Sequence, residues 1–175
     1  MLGDGFMKKT RFISEVAVSV SLAVICSLIR VWEMPQGGSV ALTMIPIILV
    51  ALRCGAVAGM TTGVIYGVIS LLIAGVIYHP MSVVLDYVLA FGILGVAGFF
   101  KKNIKGIIFG TLVAVAGRFV CATISGAVLF KSFAPAGQNP WVYSVIYQAT
   151  YLVPELIITL LCMVFLFKKA QRIFV

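Results

Sequence analysis

Two apolar segments in the C-terminal half of the chain carry charged side chains that could do chemistry. Arg118 lies in the first of these segments and Glu155 in the second. A charge in the hydrocarbon layer of a membrane is costly unless it has a partner or faces a water-filled cavity. The simplest prediction is that Arg118 and Glu155 pair with each other and have a structural role.

A second group of polar residues would lie closer to the outer surface if these segments are helices. At 1.5 Å per residue, Asp86 would lie roughly 7 Å and Gln148 roughly 10 Å below that surface, whereas Arg118 and Glu155 would lie roughly 18 and 21 Å deep. Aromatic side chains share the shallow layer, namely Tyr87, Phe130, Tyr143 and Tyr147. This layer therefore predicts the wall of a small-molecule site.

Asp86 is the residue of the shallow layer that most directly suggests a ligand. The only basic residue near its predicted depth is Lys131, at the mouth. An unpaired carboxylate beside aromatic rings suits a cationic ligand supplied from outside. The alternative is a carboxylate that only hydrogen-bonds to tyrosines and water.

Motifs for catalysis or metal binding are weak. Thr123-Ile-Ser-Gly126 resembles part of the Gly-x-Ser-Gly motif of intramembrane serine proteases, but its first glycine is missing and no histidine follows in a later segment. No P-loop motif occurs, and the four cysteines lack metal-ligand spacing. We therefore expect no cofactor, no metal and no ATP hydrolysis by this chain. An intramembrane enzyme using Ser125 or Asp86 is a remote alternative.

The composition places these residues in an integral membrane protein. Of the 175 residues, 62% are hydrophobic and 10% are charged, whereas soluble domains average about 45–50% and about 25%. The apolar runs predict one all-α domain over residues 1–175 with six transmembrane helices, at about 12–31, 40–52, 56–76, 82–100, 106–130 and 141–167. The second run is short and contains Pro46, so we expect it to be kinked or partly re-entrant. Residues 30–39 before it are predicted to form a loop.

The basic residues predict the orientation of the chain. Six spans place both termini on one side, together with ten of the thirteen basic residues: Lys8, Lys9, Arg11, Arg53, Lys101, Lys102, Lys105, Lys168, Lys169 and Arg172. The positive-inside rule then places both termini in the cytoplasm. Because the basic residues fall in short clusters between apolar runs, the net charge of +8 does not indicate a nucleic-acid-binding protein.

Small residues predict where helices approach closely. Ala17 and Ser21 are four residues apart in the first span, and such a face allows another helix to approach in lipid. It could face a partner or the interior of the bundle. Gly59, Gly63 and Gly67 repeat at the same interval in the third span, and for these we expect packing within the bundle.

Several motifs together resemble a known family. They are MPQGGSV at 34–40, MIPI at 44–47, His79-Pro80, LDY at 85–87, ISGA at 124–127, SFAP at 132–135, and Tyr143, Ser144, Tyr151 and Pro154. Their order and spacing, over essentially the whole chain, resemble the thiamine-binding S component of energy-coupling factor (ECF) transporters, the ThiT family.

The resemblance implies an S-component-like bundle in the bacterial plasma membrane that captures a vitamin and does no chemistry of its own. Such subunits hold their ligand near the outer face and associate with a transmembrane coupling subunit and two cytoplasmic ATPases. ATP hydrolysis by those partners is thought to topple the S component. The small-residue motif that docks on the coupling subunit falls on Ala17 and Ser21, with Ile25 where a third alanine is common.

The resemblance also implies a set of ligand-binding residues. The acidic residue that contacts the ligand falls on Asp86, beside Tyr87, the stacking aromatic on Phe130, and the tyrosine of the sixth helix on Tyr143. The expected site is completed by Ser125 and Gly126 of the ISGA motif and by Tyr147.

Two positions of the expected site depart from the family. Ala122 stands where the family usually has histidine, and Gln148 where it has asparagine. Loss of the imidazole removes a ring and a hydrogen-bonding group, and the additional methylene of glutamine could reach into the vacated space. The sequence therefore leaves two hypotheses: thiamine in a compensated site, or a different vitamin, precursor or small heterocycle.

Overall fold

The computed structural model describes residues 2–74, 79–135 and 137–170, with side chains from residue 9 onward except at 74. The helices are α1 Leu2–Leu28, α2 Met44–Cys54, α3 Ala56–Ala74, α4 Pro80–Phe99, α5 Ile104–Val128 and α6 Pro140–Lys169. Two strands, β1 Arg30–Glu33 and β2 Ser39–Ala41, lie between α1 and α2. Residues 75–76 of the predicted third span, the side chain of Lys8 and Arg172 lie outside the described residues.

Five helices in the described part of the chain are long and apolar enough to cross a membrane. They are α1, from Lys9 onward, and α3, α4, α5 and α6. Helix α2 has only 11 residues and is about 17 Å long, well short of a hydrocarbon layer of about 30 Å. The structure therefore confirms a mainly helical protein with five helices that could cross a membrane, and six complete spans remain a prediction.

The region before α2 differs from the sequence-based prediction. Residues 30–39 were predicted as a loop, but β1 and β2 form an antiparallel hairpin in which Trp32 lies opposite Val40. Helix α2 begins only at Met44, which places Pro46 in its first turn. Proline is tolerated there because its missing N–H would have no partner within the helix. Pro46 therefore does not interrupt the middle of α2, and the expectation of a kinked or partly re-entrant segment remains a prediction.

Helix α4 changes its winding along its length. Residues Val83–Leu89 form a π-helical segment, and Ile93–Phe99 form a 3₁₀ segment. Asp86 and Tyr87 both lie in the π-helical segment. Such segments are rare and occur frequently at functional sites, and here the local widening determines where these two side chains emerge.

A glycine stripe holds α3 against α4. A Cβ atom added at Gly63 would lie 2.1 Å from the carbonyl oxygen of Phe91, and one at Gly67 would lie 2.1 Å from that of Tyr87. A Cβ atom at Gly59 would lie 2.8 Å from the Cα atom of Gly95. The prediction of packing within the bundle is confirmed, and this packing fixes the backbone that carries Asp86 and Tyr87.

The short helix α2 lies in the centre of the core. Met44, Ile47 and Ile48 have no exposed surface, and they belong to the same apolar cluster as Leu94 of α4 and Leu152 of α6. Helix α1, in contrast, leaves half of its described apolar side chains exposed. The hairpin and α2 together connect this peripheral helix to the centre of the bundle.

Candidate ligand-binding site

One cavity of about 450 Å³ lies between the hairpin, the C-terminal end of α1 and helices α3 to α6. All nine residues predicted from the sequence to bind a ligand line it: Asp86, Tyr87, Ala122, Ser125, Gly126, Phe130, Tyr143, Tyr147 and Gln148. Its volume lies in the range of about 300–1,000 Å³ that is usual for small-molecule sites. Their position around the cavity does not by itself show that they bind a ligand, so ligand binding by these residues remains a prediction.

Asp86 is held by a hydrogen bond from the neighbouring helix. The Oγ atom of Ser125 in α5 donates to Oδ2 of Asp86 in α4, at 2.6 Å. Ser125 is buried, so the bond fixes the orientation of the carboxylate. Hydrogen bonds to a charged acceptor are stronger than neutral ones, and this one joins the two helices at the cavity wall.

Polar side chains of α6 form the second wall by bonding to the backbone of α5. Ser144 Oγ donates to the carbonyl oxygen of Thr123 at 2.9 Å, and Gln148 Nε2 donates to that of Ala122 at 3.2 Å. The hydroxyl group of Tyr151 donates to Oε1 of Gln148. Both ends of the Gln148 amide therefore have protein partners, which fixes its orientation beside Ala122.

Gly126 allows α5 and α6 to approach at this wall. A Cβ atom at Gly126 would lie 2.3 Å from Oγ of Ser144 and 3.3 Å from Nε2 of Gln148. The sequence placed Gly126 in the ligand site, and the structure shows that it also gives room to the side chains of α6.

Two tyrosines one turn apart on α6 connect the cavity to the hairpin loop. Tyr143 donates to Oε1 of Gln36 at 2.8 Å. The hydroxyl group of Tyr147 donates to the carbonyl oxygen of Gly37 and accepts from the backbone N–H of Gln36, both at 3.0 Å. These bonds hold the loop between β1 and β2 over the cavity.

The hairpin loop itself was missed as part of the site by the sequence reasoning. Its residues 34–38 line the cavity, although in the sequence they indicated only the resemblance to the family. Gly38 has a φ of +90°, and a Cβ atom there would lie 2.7 Å from the ring of Tyr151. The consecutive glycines were the available signal, because only glycine adopts such a conformation without strain and permits this approach.

Two further lining residues were missed on α3. Tyr66 and Ser70 line the cavity and lie one helical turn apart. Their spacing in an apolar segment was a signal of a polar face, but nothing in the sequence showed that this face turns toward α4 rather than another helix.

Arg118 and Glu155 lie at the inner end of the cavity. Arg118 Nη1 and Glu155 Oε2 are 3.6 Å apart, which is an ion pair but too long for a hydrogen bond. The guanidinium carbon of Arg118 lies 4.4 Å from the centroid of the Phe91 ring. Arg118 lines the cavity, whereas Glu155 lies behind it. The predicted deep layer therefore reaches the same cavity as the predicted shallow layer, through Arg118.

The predicted docking residues lie apart from this cavity. Ala17 and Ser21 are exposed on α1, where Oγ of Ser21 donates to the carbonyl oxygen of Ala17 at 2.9 Å. This internal bond satisfies the hydroxyl group within its own helix, so the small-residue face does not need another polar partner.

Comparison with known proteins agrees with the fold. The family model described as thiamine transporter protein (Thia_YuaJ) matches residues 13–175. The chain belongs to the thiamine transporter family. The resemblance noted from the sequence motifs is thereby confirmed, and membership of this transporter family agrees with the expectation of a transport subunit rather than an enzyme.

Named relatives of this thiamine transporter family member are bacterial. It is 36% identical to the thiamine transporter ThiT of Bacillus subtilis (strain 168), over 91% of each chain. It is 26% identical to ThiT of Lacticaseibacillus paracasei, over 75% of this chain and 74% of the relative. A solved structure of ThiT from Listeria monocytogenes has the same fold, with a TM-score of 0.87, 20% sequence identity and coverage of 95% of this chain and 98% of that one.

Proposed function

We propose that this protein is the substrate-binding subunit of an ATP-driven ECF vitamin importer and that it holds thiamine in the cavity described above. The observation that carries this proposal is the placement of the Asp86 carboxylate, fixed by Ser125, in a cavity that aromatic side chains also line. Thiamine has a permanently cationic thiazolium ring and a flat pyrimidine ring. A carboxylate and aromatic faces are the groups that recognise such a ligand.

The proposed partners are a transmembrane coupling subunit and two cytoplasmic ATPases. Support comes from the exposed face of α1, where Ala17 and Ser21 lie with the bulky apolar residues Ile13, Leu22 and Ile25 also exposed. A face of small residues bounded by apolar ones suits close packing with another helix in lipid.

A bacterial plasma membrane location with both termini in the cytoplasm is part of the proposal. Arg11, Arg53 and Lys102 come together at one end of the bundle, where Lys102 Nζ donates to the carbonyl oxygen of Arg53 and Glu15 lies 2.9 Å from Arg53. The positive-inside rule places that end in the cytoplasm. A membrane-impermeant thiol reagent applied to intact cells should label a cysteine introduced at Gln138 but leave the exposed Cys54 unlabelled; the reverse pattern would refute this orientation.

A second candidate is the same transport role for a thiamine precursor or another small heterocycle. The observation that favours it is the wall at Ala122 and Gln148, where the family's imidazole is absent and the glutamine amide is bonded to Ala122 and Tyr151. An amide fixed in this way presents a different hydrogen-bonding pattern from the family's histidine and asparagine.

Thiamine titration of the purified protein by calorimetry tests the proposed ligand. We expect nanomolar affinity. Both tryptophans are exposed, and neither is among the described residues that line the cavity, so fluorescence is a secondary signal. Absence of heat with a folded protein would reject thiamine and direct the titration to its separate pyrimidine and thiazole parts.

The variant Ala122→His with Gln148→Asn distinguishes the two candidates. If the native ligand differs from thiamine, restoring the family residues should increase thiamine affinity by at least tenfold. If thiamine is the native ligand of a compensated site, affinity should stay equal or decrease. Val57→Leu, at a position of α3 that is 69% exposed and is not among the lining residues, is a control outside the cavity.

A further inference from the structure

The charges that line the cavity fall into two groups. At the mouth, Arg30 and Glu33 form an ion pair with each other. Further in, Asp86 and Arg118 are the charged residues among the described ones that line the cavity. Taken alone, this inner pair would sum to zero and would give a cation no electrostatic advantage over a neutral ligand.

Glu155, which lies behind the cavity wall, adds a negative charge to this inner pair. Its side chain is 1% exposed and it lies 3.6 Å from Arg118. The hydroxyl group of Thr43, at the start of α2, donates to its other oxygen at 3.2 Å. Glu155 is therefore held by Arg118 and Thr43 without lining the cavity itself, while the ring of Phe91 packs against the guanidinium group.

We propose that Glu155 is a positioning residue that neutralises Arg118, so that the inner cavity keeps the single negative charge of Asp86 and selects a monocation over a neutral ligand of the same shape. This inference rests on the proposed function, because it requires a cationic ligand in the cavity. A purely structural ion pair would support the same fold without influencing which ligand charge is preferred.

Loss of the charge on Glu155 and loss of the charge on Arg118 should change the affinity for a cation in opposite directions. With Asp86, Arg118 and Glu155 ionised, the three charges sum to −1. Loss of the Glu155 charge leaves Arg118 to cancel Asp86, which gives zero. Loss of the Arg118 charge leaves two carboxylates, which gives −2. One charge at about 10 Å in a medium of effective dielectric about 20 changes the affinity for a monocation by about tenfold.

The test compares two ligands of equal shape by calorimetry. One is thiamine, and the other is its neutral analogue in which carbon replaces the quaternary nitrogen of the thiazolium ring. The readout is the ratio of the two affinities. We expect Glu155→Gln to lower the preference for thiamine by about tenfold and Arg118→Gln to raise it by about tenfold. Arg118→Lys, which retains the charge, should show the same affinity ratio as the unaltered protein.

Glu15→Gln is the matched control for a change in net charge. Glu15 lies 2.9 Å from Arg53 in another ion pair, which involves no cavity-lining residue. This variant removes one carboxylate, as Glu155→Gln does, but it should leave the affinity ratio unchanged.

A double variant in which the two charged residues are exchanged tests the role of Glu155 if the single variants do not fold. Arg118→Glu combined with Glu155→Arg keeps both the pair and the net charge but places the carboxylate on the cavity side. We expect a stronger preference for thiamine over the neutral analogue, whereas a purely structural pair predicts no change.

The outcomes separate this inference from the proposed function. Binding of thiamine with the same affinity ratio in the unaltered protein and in the folded charge variants would overturn the inference alone. Failure of the unaltered protein to bind either compound would overturn both.

Discussion

Asp86 is the residue on which the proposed binding mode depends most directly. Its position in a π-helical segment and the hydrogen bond from Ser125 fix the direction of its carboxylate. Gln148 is fixed in a similar way by Ala122 and Tyr151. Because these side chains are already held by protein partners, binding of a ligand requires little further ordering of side chains, and such preorganisation favours affinity.

Replacement of Asp86 by asparagine should weaken thiamine binding by about 5–150-fold, equivalent to about 1–3 kcal/mol. Asparagine keeps the shape and can still accept a hydrogen bond from Ser125, so the change mainly removes the charge that faces the cation. Calorimetry measures the affinity, and thermal unfolding in detergent checks that the variant is folded. An unchanged affinity would contradict the role of Asp86 as counter-ion.

Among the elements, the α3–α4 pair determines where the cavity wall stands. The glycine stripe of α3 brings its backbone against α4 at the carbonyl groups of Phe91 and Tyr87. Close backbone packing of this kind is typical of membrane helices, in which small residues replace the hydrophobic effect as the basis of association. Any change in this spacing would move Asp86 relative to Ser125.

A methyl group at Gly63 should therefore be more harmful than one at Gly92. In Gly63→Ala the new Cβ atom would meet the backbone oxygen of Phe91 at 2.1 Å, whereas in Gly92→Ala it would meet only the side chain of Val64 at 3.1 Å. We expect Gly63→Ala to cost about 1–3 kcal/mol of stability, as overpacking does, and to weaken thiamine binding. Thermal unfolding measures the first and calorimetry the second; equal behaviour of the two variants would contradict this packing argument.

The whole molecule separates ligand capture from partner docking. The cavity is built mainly from the hairpin and α3 to α6, and among the described residues of α1 it is lined by Ser27 and Leu28 at the C-terminal end, whereas Ala17 and Ser21 are exposed further along α1. The buried helix α2 lies between these regions and packs against both α1 and α6. This division is consistent with a subunit that binds its ligand by itself and needs a second protein for transport.

Enlargement of the α1 face should affect transport but not binding. With Ser21→Leu, the purified protein should bind thiamine with unchanged affinity, because Ser21 does not line the cavity. Uptake by cells that contain the coupling subunit and ATPases should decrease by at least tenfold, since a bulky side chain prevents close helix approach. Val57→Leu, at a position of α3 that is 69% exposed, is the control and should transport normally. Normal uptake by Ser21→Leu would refute docking at this face.

The local sequence by itself predicted the apolar helices, because the length and hydrophobicity of a segment are enough to show that it can cross a membrane. It also indicated the nine cavity residues, through their depth and the family motifs, since residues at equal depth on neighbouring helices can meet. The glycine stripe and its internal packing could likewise be predicted from a simple four-residue interval.

Only the tertiary structure decided how these segments combine. The hairpin was not predicted because its strands are three and four residues long, and their pairing depends on tertiary contacts such as those of its loop with Tyr143 and Tyr147. The continuity of Arg118 with the cavity was also missed, since depth along a helix does not say which way a side chain points. Periodicity is a property of one segment, but rotation of each helix about its axis is determined by all its neighbours together.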